Sequence, residues 1–458
     1  MYHVAIIGGG PAGIFAAYEF AVKYPQLKVV LLEAGNSITS RHCPLAAKAV
    51  KQCLNCKPCS IMRGFGGAGA FSDGKFNFTT EFGGWLSEYL PEKLVMELID
   101  YVDELNCRHG APGEYFTTKN STIGVEALRH DLHLLNAKVR HLGTENNLKI
   151  MEAIYKFLQD KITIRCNTTV EAIIKKEAGF TLQLKEEAID CKYLIAAPGR
   201  AGAEWFTKEC QALGLSLVNN QVDIGVRVEV PAAVFKHITD QVYEAKILYR
   251  TSVYNDMVRT FCMNPYGYVV AENTDGIITV NGHSYRDPAL HSANTNFALL
   301  VSSRFTEPFH EPHQYGKRIA SFSNMLGGGV LVQRFGDLIK GRRTDERRMA
   351  KSFTKPTLAA TPGDLSLVLP KRQLDDIIEM IYALDKIAPG MANADTLLYG
   401  VEVKFYSARP LLDGNLETAI TNMFAIGDGA GITRGLSQAS ASGVWVARVI
   451  GQRACSQE

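Results

Sequence analysis

At 458 residues, with 46% hydrophobic and 21% charged side chains and a formal net charge of +2, the chain has the make-up of an ordinary globular protein of two or three domains. That charge balance argues against a polyanionic partner such as nucleic acid, and no apolar run reaches the roughly 18 residues of a membrane helix. The first strand starts at residue 2, which leaves no space for a signal or transit peptide, so a cytoplasmic address is expected.

Residues 2–7 are apolar enough for a buried strand. They run into Gly8-Gly9-Gly10-Pro11-Ala12-Gly13, an Ala-rich helix over 14–23 and a second strand over 29–32 that ends at Glu33 and Ala34. Strand, glycine turn, helix and acidic strand end, in that order, form a dinucleotide fingerprint in which each residue type has its own task. Gly8 permits the tight turn, Gly10 lets a pyrophosphate approach the backbone, and Gly13 allows helix and strand to pack closely. Pro11 suits the first helical turn, where its missing N–H would be unsatisfied anyway. The free N–H groups of that turn, with Ala12 in it, and the positive end of the helix favour phosphate. Glu33 can accept both ribose hydroxyls.

Ten cysteines in a chain with a cytoplasmic address read as reduced thiols, ligands or redox groups rather than structural disulfides. Four of them, Cys43, Cys53, Cys56 and Cys59, fall within 17 residues as C-x9-C-x2-C-x2-C. Three readings stay open: inert thiols, a metal or iron–sulfur centre, and a redox dithiol. The spacing is not that of a standard ferredoxin, and no metal is assigned. The cluster leads into Gly64-Phe65-Gly66-Gly67-Ala68-Gly69-Ala70-Phe71-Ser72-Asp73-Gly74-Lys75. As a string this satisfies G-x-G-x-x-G, but no apolar strand precedes it, so it is not a second dinucleotide fold. Its glycines let backbone wrap a ligand closely, and Gly66, Gly67, Ala68, Gly69, Ser72 and Asp73 become candidate contacts.

Apolar residues at helical spacing predict helices over 92–106 and 145–159 as core faces without chemistry. Strands follow over 165–176, 179–185 and 190–197, with Val170 inside the first and the last running into Ala197-Pro198-Gly199. A strand ending in such a small-residue turn brings backbone close to a dinucleotide. From residue 222 the pattern changes to strands over 224–230, 245–249, 258–263, 268–272, 277–281 and 297–301, a mainly antiparallel sheet. Helices follow over 313–325 and 374–387, then strands over 400–405 and 423–426, and a closing helix from Gly435 and Leu436 to 452. The expected fold is α/β: a Rossmann-like domain assembled from separated segments (1–80, 143–221 and 390–458) with an inserted sheet-plus-helix substrate domain (81–142 and 222–389).

The segment Met423-Phe424-Ala425-Ile426-Gly427-Asp428-Gly429-Ala430-Gly431 is a strand opening into a glycine turn ahead of a helix. Paired with the N-terminal fingerprint, it resembles the second FAD-contact motif of two-domain flavoproteins, in which the Asp holds the ribityl chain. Gly66 to Lys75, Ala197 to Arg200, Arg259-Thr260-Phe261-Cys262-Met263, His141-Leu142-Gly143-Thr144 and Asn281-Gly282-His283-Ser284-Tyr285 extend the likeness over nearly the whole chain. Together they resemble the uncharacterised FAD-dependent dehydrogenases of bacteria and archaea, whose fold is similar to the glutathione reductase and p-hydroxybenzoate hydroxylase group. Two places depart from that pattern: Asn264-Pro265-Tyr266-Gly267 stands where a Pro-Gly-Gly turn is common, and Asp428 where Glu is frequent. The resemblance implies a flavoprotein oxidoreductase and supplies no substrate.

His283 and Tyr285, at the end of a sheet-domain strand, are candidates for proton transfer, since His titrates near neutrality. Cys262 joins them as a third candidate catalytic side chain. Arg227, Arg259 and Arg409 can hold a carboxylate or phosphate, or serve packing. The basic run over 340–355 reads as a solvated helix face, with an NADPH phosphate, an anionic substrate or RNA as alternatives. The leading expectation is an FAD-dependent dehydrogenase passing a hydride or electrons between a reduced donor and a small-molecule substrate. NAD(P)H would dock transiently, because no second nucleotide fingerprint is visible, and an electron-donor protein is equally open. Alternatives are a thiol–disulfide or iron–sulfur electron-transfer flavoenzyme and, last, a flavin-dependent RNA-modifying or flavin-stabilised binding protein.

Overall fold

The computed structural model describes residues 1–458 apart from 45–46, 48, 51–53, 55, 120, 219, 275, 304, 306–311, 405–406 and 457–458. The chain divides into two compact units: Met1–Glu114 with Arg140–Asn220 and Tyr406–Glu458, and Tyr115–Val139 with Gln221–Phe405.

The first unit is built on parallel strands in the order Thr163–Arg165, Val29–Leu32, Tyr2–Ile7, Ala188–Ala196 and Met423–Ala425. Strands covered on both faces need continuous apolar runs, and Val29–Leu32 is buried at every position. The first helix, Pro11–Lys23, and the closing helix, Leu436–Cys455, cross closely because small residues line the contact. A Cβ on Gly443 would stand 2.1 Å from the Ala12 carbonyl oxygen. The Glu92–Arg108 and Thr144–Gln159 helices bury the apolar stripes read from the sequence, Leu98, Ile99, Val102 and Leu105 in one and Met151, Ile154 and Leu158 in the other.

The strand expected over 165–176 is two strands. Thr163–Arg165 runs parallel beside Val29–Leu32, whereas Ala172–Lys176 pairs antiparallel with Gly179–Gln183. Asn167, at φ +54°, turns the chain between them. Its N–H donates to the Gly35 carbonyl at 2.8 Å and that of Thr168 to Glu33 at 2.9 Å. Asn tolerates this left-handed conformation better than other residues with a Cβ, and apolar periodicity carries no sign of the break.

The second unit holds an eight-stranded sheet. Its central strands Leu397–Lys404, Val222–Pro231, Asn294–Ser303 and Met257–Asn264 are mutually antiparallel. Val222, Ile224, Val226, Val228 and Val230 form one face, in a core with Ile377, Met380, Ile381 and Leu384 of the Lys371–Asp385 helix. The alternation demanded by a strand then puts Asp223, Arg227 and Glu229 on the other face, yet each is fully buried. A separate hairpin pairs Tyr268–Thr274 with Ile277–His283. The helices Ile123–Leu128, Ala203–Ala212, Ala232–Val242 and Phe335–Ile339 are not among the expected elements; each is short, and Ala232–Val242 follows directly on a strand. Among the described residues no helix is long and apolar enough to cross a membrane.

Candidate functional site

In the first unit the glycine turn is tightly packed at Gly8 and Gly13 and open at Gly10. Gly8 lies at φ +105°, and a Cβ there would meet the Ala197 carbonyl oxygen at 2.0 Å. A Cβ on Gly13 would stand 2.0 Å from the Gly8 carbonyl oxygen, so this glycine sets the distance between helix and strand. At Gly10 the nearest atom to an added Cβ is Gly67 Cα at 4.0 Å. Pro11 opens the helix and Gly10 brings no side-chain cap, so the first N–H groups and the positive helix end keep their capacity for an anion.

Glu33 is buried, with a second task that its position in the fingerprint does not reveal. Its Oε2 accepts from the Gly9 N–H at 2.7 Å, and its Oε1 accepts from Gly35 at 2.7 Å and Gly64 at 2.8 Å. A carboxylate has about four acceptor directions, so about one is left for a ribose hydroxyl while these three bonds hold. Ala34, half-buried, follows it, and Val170 is buried near the return of the chain to this strand end.

The loop that begins at Gly64 is fastened by two residues the sequence reading missed. Buried Arg41 donates to the carbonyls of Ser60 (2.9 Å), Ile61 (3.0 Å) and Phe65 (2.7 Å), and burial lowers its pKa to about 10. From the Thr144–Gln159 helix, Asn147 Nδ2 donates to the carbonyls of Gly69 at 2.6 Å, Ser72 at 3.2 Å and Ala70 at 3.3 Å. Gly66, at φ +93°, donates its N–H to the Gly9 carbonyl at 2.7 Å, tying the loop to the glycine turn. Gly67, Ala68 and Gly69 are half-buried. A Cβ on Gly69 would meet Leu436 Cδ2 at 2.8 Å and Pro11 Cγ at 3.3 Å, so the first turns of two helices converge there.

Two expected contacts on this loop are directed into the protein. The Ser72 hydroxyl donates to the Gly69 carbonyl at 2.7 Å. Asp73 faces Lys75 at 3.0 Å and His141 at 3.8 Å, all three buried. On the far side, a Cβ on Gly429 would lie 2.0 Å from the Gly199 carbonyl oxygen, and one on Gly427, at φ +76°, 3.0 Å from Ala12 Cβ. The turn after Ala197 and Pro198 thereby packs against the turn around Asp428. Asp428 Oδ1 accepts from Thr433 Oγ1 at 2.7 Å. Gly435 starts the closing helix without a side-chain cap. Gln438 in its first turn donates to the Phe82 carbonyl at 3.1 Å, a contact 356 residues apart in sequence.

In the second unit a bulge interrupts the Met257–Asn264 strand between Phe261 and Asn264. Bulges re-aim side chains beside functional sites. Cys262 lies at φ +47°, and its carbonyl accepts from Arg227 Nη2 at 2.7 Å and Asn264 Nδ2 at 2.9 Å. Cys262 Sγ is 3.9 Å from the Gly282 carbonyl oxygen, which brings it to the residue before His283. His283 stacks beside Tyr268 (ring centroids 6.0 Å) and meets Tyr285 edge-on at 5.0 Å. The three candidate catalytic residues therefore share one end of the hairpin.

The arginines separate. Arg227 is fully buried, donating also to Asn296 Oδ1 at 2.7 Å and Glu402 Oε2 at 3.3 Å; it holds the bulge and is packing, not an anion clamp. Arg409 pairs with Glu88 at 2.7 Å. Arg259 pairs with Asp223. In the basic run only Glu346–Ala350 is helical, so the expected solvated helix face is one short turn. Arg342 pairs with Asp337 at 2.8 Å and Arg348 with Asp345 at 2.9 Å, which removes part of its charge excess. Cys43 and Cys59 are half-buried and Cys56 exposed, all free thiols, while Cys53 lies outside the described residues. Among the described residues no group of three His, Cys, Asp or Glu is arranged to hold a metal ion.

The fold is that of a mixed α/β protein with a glycine-lined turn at a helix start in its first unit. Residues 221–405 match the family described as FAD-dependent protein, C-terminal domain-like. The chain is 26% identical over 465 residues to an uncharacterized protein of Clostridium beijerinckii, spanning 97% of this chain and 80% of that protein. It is similar to the solved glycine oxidase of Bacillus cereus (14% identity, TM-score 0.40, 99% of this chain and 96% of that one). It is also similar to the E. coli quinol fumarate reductase FrdA (13% identity, TM-score 0.41, 100% and 71%). Likeness at that level specifies neither ligand nor reaction.

Proposed function

We propose that the chain is an FAD-dependent oxidoreductase that passes a hydride or electrons between a reduced donor and a small-molecule substrate. The observation that carries this reading is the convergence of the Pro11 and Leu436 helix starts on Gly69, with the backbone at Gly10 open to approach. The family matched by residues 221–405 supports the same cofactor.

The residues present suit FAD. The turn after Gly10 would hold the pyrophosphate through backbone N–H groups, Glu33 a ribose hydroxyl, the loop from Gly66 to Gly69 the flat ring system, and Asp428 with the Gly435 helix start the ribityl end. FAD supplies two-electron hydride chemistry when bound. The chain's own contribution is to orient that group by fixed backbone and to manage the accompanying proton, for which His283, Tyr285 and Cys262 are the candidate carriers. NAD(P)H or a small electron-transfer protein, docking transiently, is the proposed donor.

The test is direct. Purified protein should be yellow and release FAD on denaturation. Anaerobic addition of NADH, NADPH and reduced ferredoxin in turn should bleach it with one donor far faster than with the others. Correctly folded protein that is colourless and binds no added FAD would overturn the proposal.

A further inference from the structure

The basic run over 340–355, to which flavin chemistry gives no task, carries seven basic and two acidic residues, a formal net charge of +5 in a chain of +2. Its backbone is held in place from beneath. Asp337, fully buried, accepts from Arg342 Nε at 2.8 Å and Thr344 Oγ1 at 2.9 Å, and lies 3.8 Å from Arg348 Nε. Asp345 caps the Glu346–Ala350 helix by accepting from the Arg348 N–H at 2.9 Å. Those two carboxylates account for Arg342 and Arg348. Lys340, Arg343, Arg347, Lys351 and Lys355 are exposed, and among the described residues none of the five is paired with a carboxylate. Lys355 Nζ reaches the Ala350 carbonyl, at 3.2 Å.

Beyond that helix the chain buries hydroxyls and turns a ring outward. Ser352 and Thr354 are 1% and 2% exposed, whereas Phe353 between them is 89% exposed, more than any other large apolar side chain among the described residues. The Ser352 hydroxyl is buried without a hydrogen-bond partner. Such a group costs free energy, and the ring forgoes the gain of burial. Single exposed apolar residues are common on protein surfaces. One that stands out between Lys351 and Lys355 while a hydroxyl is buried beside it is not explained by packing.

The excess charge calls for an anionic partner, and the side chains choose among such partners. Those flanking Phe353 are lysines, strongly hydrated point charges on flexible stems, not the planar guanidinium forks that grip phosphates and carboxylates bidentately. Lysine is also depleted at protein interfaces. Single-stranded nucleic acid is bound on several aromatic rings set along a groove, whereas this run holds one ring, and it protrudes. A layer of anionic headgroups suits these residues, because an aromatic side chain can insert into it while ammonium groups stay at its surface. Ile339, 45% exposed and next to Lys340, repeats the pairing of apolar and basic side chains.

We propose that residues 339–355 form a peripheral membrane-binding surface, in which Phe353 inserts among anionic phospholipid headgroups and Lys340, Arg343, Arg347, Lys351 and Lys355 hold it there by charge. The attachment is interfacial and independent of the oxidoreductase reading.

The experiment sediments the protein as purified with vesicles of phosphatidylcholine alone, and of equal parts phosphatidylcholine and phosphatidylserine, at rising salt. Protein should pellet with the mixed vesicles, stay in solution with the neutral ones, and leave the mixed vesicles as salt is added. Phe353→Ser keeps the charge and removes the ring, and the double variant Lys351→Gln, Lys355→Gln does the reverse. Each should lower the partition coefficient about tenfold or more, with circular dichroism checking the fold. Absence of binding to mixed vesicles, equal binding to neutral ones, or a Phe353→Ser protein that binds like the wild type would overturn the proposal. So would polyuridylate that binds more tightly than the vesicles and loses affinity in the same variants, which would assign the surface to RNA. The two vesicle compositions decide the matter on wild-type protein even if a variant does not fold.

Discussion

Replacing Gly10 and Gly13 by alanine, one at a time, should separate ligand approach from packing within four residues of chain. Gly10 adopts φ −82° and ψ −178°, which alanine accepts without strain, and its added Cβ comes no nearer than 4.0 Å to another residue. Gly10→Ala should therefore leave the fold as stable as before or up to about 1 kcal/mol more so, because the unfolded chain loses freedom. The new methyl group would stand where the pyrophosphate must approach, and FAD affinity should fall about tenfold or more, equivalent to about 1.4 kcal/mol. At Gly13 the added Cβ would sit 2.0 Å from the Gly8 carbonyl oxygen and 3.2 Å from Ile6 Cγ2. Backbone must move, so Gly13→Ala should cost about 1–3 kcal/mol of stability, seen also as a lower melting temperature. Urea unfolding gives the stability and quenching of flavin fluorescence gives the FAD affinity. A Gly10→Ala protein that binds FAD like the wild type would refute the reasoning about approach, and a Gly13→Ala protein of unchanged stability would refute the reasoning about packing.

Asn147→Ala removes the donor that serves the carbonyls of Gly69, Ala70 and Ser72; it should cost about 1–3 kcal/mol and loosen FAD binding, seen as a lower urea midpoint together with a raised FAD dissociation constant. Burial pushes the carboxyl of Asp376 up to about 6, while its neighbour Asp256 is held low chiefly by hydrogen bonding with Arg372. Because the folded value of Asp376 exceeds the unfolded value of about 3.9, its contribution to stability is present below about pH 4 and is lost as pH rises through about 6, by up to about 3 kcal/mol. Asp376→Asn should flatten that part of the pH profile of urea midpoints, and an unchanged slope would contradict the assignment. Burial also pushes the thiols of Cys191 and Cys210 up to about 12, so brief iodoacetamide treatment of native protein should label exposed Cys56 and Cys455 well before either, as mass spectrometry would report; early labelling of Cys210 would be inconsistent with the packing described.

What the sequence reveals is whatever depends on neighbours along the chain. The separate tasks of Gly8, Gly10 and Gly13 follow from a strand, a turn and a helix in immediate succession, and the cradle can be read from them. The apolar stripe of the Glu92–Arg108 helix is equally legible, because one face of one element carries it. Contacts that cross the fold leave no such trace. Arg41 reaches carbonyls about twenty residues away, and Asn147 is 78 residues from Gly69. Lys246 and Lys404 meet at Phe261 only because sheet order brings distant strands together. Arg227 reads in sequence as a possible ligand for an anion. The structure makes it the support of a bulge, since strand alternation turns it onto a polar face that is nonetheless fully buried. Asn167 shows the same limit locally, where one residue in a left-handed conformation converts an expected long strand into two strands that run with different partners.

The close crossing of the Pro11–Lys23 and Leu436–Cys455 helices, where Gly443 lies against the Ala12 carbonyl, has a consequence for biosynthesis. A ribosome delivers the glycine turn more than four hundred residues ahead of its packing partner, which at about 5–20 residues per second is a wait of roughly 20–90 seconds. The nascent amino-terminal segment must stay uncommitted through that interval while the residues of the second unit emerge and fold. Chaperone engagement during translation should accordingly centre on the βαβ segment that carries the glycine turn and fall once the Leu436–Cys455 helix has left the exit tunnel.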